Sequence, residues 1–153
     1  VALCMADGSD SPEDIILSYQ KISKDGYDCV FGSRFIKGGR VKNYPIIKLI
    51  LNRIFNTWVR IHSGNKYNDF TNIFKVYHRR SIDAISPLNS TGFSIGLEMS
   101  LKAFNRKQNI AIIPISWTQR EAGVSKLKLS KNFKIYMLTL LKSLKEIHPH
   151  KLN

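Results

Sequence analysis

Val1-Ala2-Leu3-Cys4-Met5-Ala6-Asp7-Gly8-Ser9-Asp10-Ser11-Pro12-Glu13-Asp14 opens the chain, and the order of its residue types decides the fold class. The first five residues are a short apolar run, which reads as a buried strand over 1–5. The polar segment that follows ends in Ser11-Pro12-Glu13-Asp14. Serine suits a helix N-cap, proline the first helical position, and the two acids the positive end of a helix. A helix is therefore expected from Pro12 to about Lys24, where Asp25-Gly26 stops it. Tyr27-Asp28-Cys29-Val30-Phe31-Gly32 then reads as a second strand over 27–32. Strand, helix, strand is the unit of a parallel sheet, and the class is α/β.

Working outward, Gly38-Gly39 mark a flexible loop, and Pro45 opens a long helix to about His62. Along it Lys48, Asn52, Arg53, Asn56 and Arg60 share a polar stripe, with Ile47, Leu51, Phe55 and Trp58 elsewhere. Further strands are expected over 72–77 and 110–117, and a short helix over 95–105. A last helix over 130–147 carries Phe133, Tyr136, Met137, Leu140, Leu141, Leu144 and Ile147 at helical spacing, with Ser130 as its cap. The two amphipathic helices, 45–62 and 130–147, fit either a core-facing role or a place at a membrane surface.

The chain has 153 residues, 43% hydrophobic, the size of one domain with a real core. Val1 stands inside a strand pattern, so the expectation is the later part of a longer protein, incomplete at the N-terminus. Lys and Arg outnumber Asp and Glu by 24 to 11, a net charge of +13. That surplus draws nucleic acid, phosphorylated small molecules or an acidic membrane, or is simply a solvated basic surface. Cys4 and Cys29 both fall in strand patterns and read as core thiols, not a disulfide framework. No uncharged apolar run reaches the roughly 18–20 residues that a bilayer span needs.

Three loops at strand ends carry the candidate chemistry. Asp7 and Asp10 are hard oxygen donors suited to Mg²⁺ or Mn²⁺ on a diphosphate, or else the acids of an ordinary helix-capping loop. Gly32-Ser33-Arg34-Phe35 offers close backbone approach, a hydroxyl and a planar cationic fork, or a plain strand-end turn. Arg120-Glu121-Ala122-Gly123-Val124-Ser125-Lys126-Leu127 sets two cations around a glycine-containing loop. Open α/β sheets bind ligands where such strand ends meet.

Taken together and in order, these motifs resemble the dolichyl- and polyprenyl-phosphate sugar synthases of glycosyltransferase family 2. So do Gly38-Gly39, Asp69-Phe70-Thr71-Asn72-Ile73-Phe74-Lys75, and Gly92-Phe93 with Glu98, and the resemblance covers roughly residues 1–128. It implies a GT-A (Rossmann-like) fold with a mostly parallel sheet flanked by helices. Residues 1–128 would form the C-terminal part of that domain, and 129–153 an amphipathic basic helix and tail. It further implies a nucleotide-sugar donor, a polyprenyl phosphate acceptor, inversion at the sugar, and a divalent metal, Mg or Mn, held by Asp7 and Asp10. Asp7 matches the second acid of the family's Asp-x-Asp motif, and Met5 stands where the first acid is usual. Asp7, Arg34 and Arg120 are the implied catalytic residues. Ser33, Lys48, Arg53, Ser125 and Lys126 are the implied substrate-binding residues, with Lys48 at a position where relatives often carry arginine.

The expected place is cytoplasmic, peripheral at the inner face of a membrane, with no nucleic-acid partner. With most of the nucleotide pocket expected before Val1, this chain alone is expected to be inactive. Two alternatives stand beside this reading. One is a family 2 transferase with a soluble or polysaccharide acceptor, which gives no use to the amphipathic helices. The other is a basic nucleic-acid-binding module, for which zinc-finger spacing, RNP-like aromatics and a heptad-bearing basic region are all missing.

Overall fold

The computed structural model describes residues 1–119 and 129–147. In chain order these form β1 (Ala2–Leu3), α1 (Pro12–Ser23), β2 (Cys29–Ser33), β3 (Arg40–Lys42) and α2 (Ile46–Ser63). Then come β4 (Lys75–Tyr77), α3 (Arg79–Ile85), a 3₁₀ turn (Gly92–Ser94), α4 (Ile95–Asn105), β5 (Ile110–Pro114), β6 (Ser116–Thr118) and α5 (Leu129–Ile147). The expected α/β class holds.

The main sheet has the order β1-β4-β2-β5 and is mixed. Strands β2 and β5 run parallel from Cys29↔Ile110 to Ser33↔Pro114, whereas β4 is antiparallel to both β1 and β2. The expectation of a mostly parallel sheet is corrected here, for a geometric reason. After β2 the chain forms β3 and α2, then re-enters the sheet from the end at which β2 left it, where the Gly32 amide bonds the Phe74 carbonyl at 3.2 Å. A strand re-entering from that end must run backwards.

Four further differences concern element boundaries, turns and caps. The single strand expected over 110–117 is two strands, β5 ending at Pro114 where the Ile115 amide makes a last bond to the Ser33 carbonyl at 3.1 Å. Beyond it β6 leaves the main sheet and pairs in parallel with β3, from Arg40↔Ser116 to Lys42↔Thr118. Gly38-Gly39 is thus not a free loop but a tight return into β3, closed by the Gly39 amide on the Ile36 carbonyl at 2.9 Å. Ser11 stands at the N-cap of α1, yet its hydroxyl bonds the Glu13 carboxylate instead of a helix amide. Ser130 lies within α5 and not at its cap.

Period-2 alternation in β2 sends its side chains to two different cores. Cys29 and Phe31 join Phe55, Val59, Tyr67, Phe70, Leu97, Leu101 and Leu140 on the face covered by α2, α4 and α5. Val30 joins Phe74, Val76, Ile113 and Ile115 on the face covered by α1, where Ile15 and Ile22 pack. No helix among the described residues is long and apolar enough to cross a membrane.

Candidate active site

The site is built where β1, β2 and β6 end. Asp7 is exposed and its Oδ1 accepts the Ser9 amide at 3.1 Å. Asp10 is half-buried, and its Oδ2 accepts the Met5 amide at 2.8 Å. Met5 thus holds Asp10 through its backbone amide. Asp10 also bridges to Trp117, and the Thr118 amide bonds the Ser9 carbonyl at 3.3 Å, so β6 fixes the acidic loop. Burial raises the Asp10 carboxyl above the usual value, against the Met5 bond, while the charge of Asp7 adds to the rise and that of Arg34 opposes it. The other oxygen, Asp10 Oδ1, is buried with no hydrogen-bond partner among the described residues.

That donor set fits one hard divalent cation of the Mg²⁺ kind. Such an ion takes one or two carboxylates and completes its shell with substrate phosphates and water. Asp10 Oδ1 is left over for such an ion, with the charge of Asp7 near enough to be felt at Asp10. Among the described residues no group of three or more His, Cys, Asp or Glu side chains forms a closed protein cage.

Arg34 follows β2 and is nearly fully buried. The Asp69 carboxylate grips it three times, accepting Nε at 2.8 Å, Nη2 at 2.7 Å and the Arg34 amide at 3.0 Å. Burial alone would disfavour the guanidinium's charge, but the attraction and hydrogen bonds of Asp69 outweigh it and hold Arg34 protonated above its usual range. The rings of Phe35, Tyr44 and Trp117 lie 5.2, 5.6 and 5.7 Å from the guanidinium carbon. Two glycines make this seat possible. A Cβ on Gly39 would stand 2.7 Å from the Arg34 carbonyl carbon, and one on Gly32 2.7 Å from the Phe74 ring.

Arg53 reaches the same seat from α2. Its Nη1 donates to the Asn68 carbonyl at 2.9 Å, and its guanidinium lies 4.3 Å over the Phe35 ring. Burial lowers its pKa, with the charge of Asp69 opposing. Ser33 is fully buried; its hydroxyl donates to Asn68 Oδ1 at 2.6 Å and accepts the Phe35 amide at 3.2 Å, so it shapes the loop from within. Lys48 is half-buried one turn before Asn52 on α2. Arg120, Ser125 and Lys126 lie outside the described residues. Asp7, Asp10, Arg34 and Arg53 thus come together at one end of the sheet.

Three features were not legible as site residues. Asp69 stood in a quoted motif without a role, and only folding reveals it as the counter-ion of Arg34. Lys75 is fully buried, its Nζ donating to the carbonyls of Phe70 at 3.2 Å and of Asn72. Burial pushes it down to about 7, with Asp69 opposing and Arg34 assisting. A lysine inside Ile73-Phe74-Lys75-Val76-Tyr77 was the available signal, since a charge in an apolar strand run demands an internal partner. Glu98, by contrast, is a structural anchor: it accepts the Asn89 amide at 3.0 Å and the Ser90 amide at 2.6 Å, and pairs with Lys102 at 2.9 Å.

The third feature is the direction in which α2 faces. Asn52 and Asn56 point inward to Thr71, while Ile46, Ile47, Ile50, Leu51, Ile54 and Ile61 stand exposed. Ile47, Ile54 and Ile61, two turns apart, are 67%, 62% and 67% exposed, so the apolar stripe is the outer one. It lies on the helix that delivers Arg53.

Comparison with known proteins bears out the resemblance that the motifs carry. The chain is 33% identical over 124 residues to a polyprenol monophosphomannose synthase of Mycolicibacterium smegmatis, covering 80% of this chain and 46% of the relative. It is 27% identical over 124 residues to an undecaprenyl-phosphate mannosyltransferase of Micrococcus luteus, covering 80% and 50%. A dolichol-phosphate mannosyltransferase of Pyrococcus furiosus is 26% identical over 119 residues, covering 76% and 33%. The chain thus spans between a third and a half of the length of these curated relatives. No family model matches it.

Proposed function

We propose that this chain, a relative of the polyprenyl-phosphate sugar synthases, carries the acceptor side of an enzyme that moves a sugar from a nucleotide-sugar donor to a polyprenyl phosphate at a membrane surface. The observation that carries the reading is the placement of α2. One helix presents an exposed apolar face to its surroundings and delivers Arg53, on its inner flank, to the seat of Arg34. A lipid that ends in phosphate needs both, an apolar surface for its chain and cations for its head, within one helix diameter. A soluble or polysaccharide acceptor gives the apolar face no purpose.

The chemistry asks little of the protein in proton transfer. A phosphate monoester has a second pKa of about 6, so its oxygen is already an anion near neutral pH. That oxygen attacks the anomeric carbon from the face opposite the nucleotide diphosphate, the sugar–oxygen bond to the diphosphate breaks, and the sugar inverts. The protein's task is to align two anions and offset their repulsion. Arg34, fixed by Asp69 and kept charged, and Arg53 hold the acceptor phosphate, with Lys48 as a further point charge on α2. Arg120, Ser125 and Lys126 complete the phosphate contacts in this reading. Asp7 and Asp10 would hold a divalent cation, Mg or Mn, which supplies charge neutralisation at the departing diphosphate. The lysines of α5 and the apolar face of α2 together place the protein peripherally on an anionic, cytoplasm-facing leaflet.

Titration with farnesyl phosphate and with farnesol tests the acceptor. Preference for the phosphate, lost in Arg53→Ala, is the expected result; equal binding of both, or of neither, overturns the reading. In the intact protein Asp7→Asn is expected to cut sugar transfer at least ~10-fold with the fold unchanged. A structure-selective, salt-dependent shift of nucleic acid, with no vesicle binding, would instead favour a basic nucleic-acid module.

A further inference from the structure

We propose that Asn56 is a positioning residue for Arg34: it ties α2 to the segment that carries Asp69, and so sets where the guanidinium stands. The inference rests on the lipid-phosphate reading of Arg34 above and adds to it a residue that touches no reacting atom. Asn56 is fully buried on a helix whose opposite face is apolar and exposed. Its Nδ2 donates to Thr71 Oγ1 at 2.9 Å and to the Asn52 carbonyl at 2.8 Å, and its Oδ1 accepts the Thr71 amide at 3.2 Å. Asn52 Nδ2 donates to the same Thr71 hydroxyl at 2.7 Å. Thr71 lies two residues past Asp69, and the Asn72 amide closes back on the Asp69 carbonyl at 3.0 Å. Asp69 then holds Arg34 by three bonds of 2.7–3.0 Å. The path from Asn56 to the guanidinium is hydrogen-bonded at every step except the two peptide units of the turn.

A buried asparagine is unfavourable unless its amide is satisfied, and leucine would pack beside Phe55 and Val59 without that demand. What leucine lacks is direction. Dispersion contacts tolerate a helix that slides or rotates by a fraction of an ångström, whereas donor and acceptor angles hold it in one register. The seam under α2 is polar over Asn52, Asn56 and Thr71, and with the Arg53 bond to the Asn68 carbonyl it joins the helix to the segment bearing Asp69. A helix that takes up load from a lipid surface on its outer face thus passes its position to Arg34 through Asn56.

The test reads hydrogen exchange at the Arg34 amide and Nε–H, each relative to the most protected amides of β2, alongside titration with farnesyl phosphate and with Mn²⁺. Asn56→Leu is expected to lower the relative protection of both Arg34 groups roughly tenfold and to weaken farnesyl phosphate binding by a similar factor. Mn²⁺ affinity stays within about twofold, because Asp7 and Asp10 are held by Met5, Ser9 and β6. Thr71→Val removes the hydroxyl alone and moves the same quantities in the same direction by about threefold, which carries the test if Asn56→Leu does not fold. Val59→Ala, fully buried on the same helix, lowers stability but leaves the relative protection of Arg34 within about twofold. Unchanged Arg34 protection in both Asn56→Leu and Thr71→Val overturns the proposal, whatever the ligand does. Equal effects of Val59→Ala and Asn56→Leu also overturn it, since Asn56 would then act through stability alone. Lost protection in a protein that never bound farnesyl phosphate upholds the positioning role and overturns the lipid-phosphate reading instead.

Discussion

Helices α2 and α5 have 18 and 19 residues and similar ingredients, an apolar period and a set of basic residues, yet α2 shows far more of its apolar side to the outside. On α5 Leu140 and Leu144 are buried in the main core beside Thr139 and Ser143, and Lys134, Lys142 and Lys145 face outward among the partly exposed Ile135, Leu138 and Leu141. On α2 the amides of Asn52 and Asn56 go inward with Phe55 and Val59, and a row of isoleucines faces outward. The difference lies in what each helix meets. Helix α5 packs chiefly along α4, whereas α2 meets, besides α5, the backbone and side chains of residues 68–71, whose polar groups need partners. Periodicity tells which residues share a face; the ground beneath the helix decides which face is down.

The sharpest way to break this comparison is to remove the charge under α2. Asp69→Asn leaves the Arg34 guanidinium buried without its counter-ion and is expected to cost about 3–5 kcal/mol in a urea or thermal unfolding experiment. A cost near that of a surface substitution would mean that the ground beneath α2 is not what holds it. Next comes the core contact of α5. Leu140→Ala should destabilise by about 2–5 kcal/mol, the range for opening a cavity at a fully buried leucine. If it proves neutral, α5 is not docked and the contrast with α2 disappears.

The outer face of α2 is expected to behave in the reverse way. Ile50→Glu with Ile54→Glu should leave stability within roughly 0.5 kcal/mol per site while lowering partition onto lipid vesicles by roughly 10²-fold. Destabilisation as large as that of Leu140→Ala would make this a core face covered by another part of the protein. The smallest effect is expected at the basic flank of α5. Lys142→Glu with Lys145→Glu should weaken binding to anionic vesicles about fivefold and leave neutral vesicles unaffected. No change on anionic vesicles would confine α5 to its role in the core.

Much of the architecture was legible because it follows from local rules. Pro12 with its neighbouring acids, Pro45, and the apolar runs at Cys29–Phe31 and Ile110–Ile113 placed elements to within a few residues. The acidic loop and the Arg34 loop were expected at one end of the sheet, and Asp10 does feel the charge of Arg34 there. The reversed direction of β4, the β3–β6 pairing and α3 were not legible. The first two depend on where a distant segment re-enters, and α3 is a short helix capped by the His78 side chain, a cap the sequence reading did not use.

By itself, then, the sequence determined the α/β class, the order of helices and strands, and the set of charged loops, since propensity, capping and periodicity act over a few residues. Tertiary structure alone decided that Asp69 is the partner of Arg34, that Ser33 turns inward to Asn68, and that α2 shows its isoleucines to the outside. Those outcomes rest on contacts between residues 15–35 positions apart, where a carboxylate, an amide and a guanidinium can be satisfied only by each other once water has been excluded.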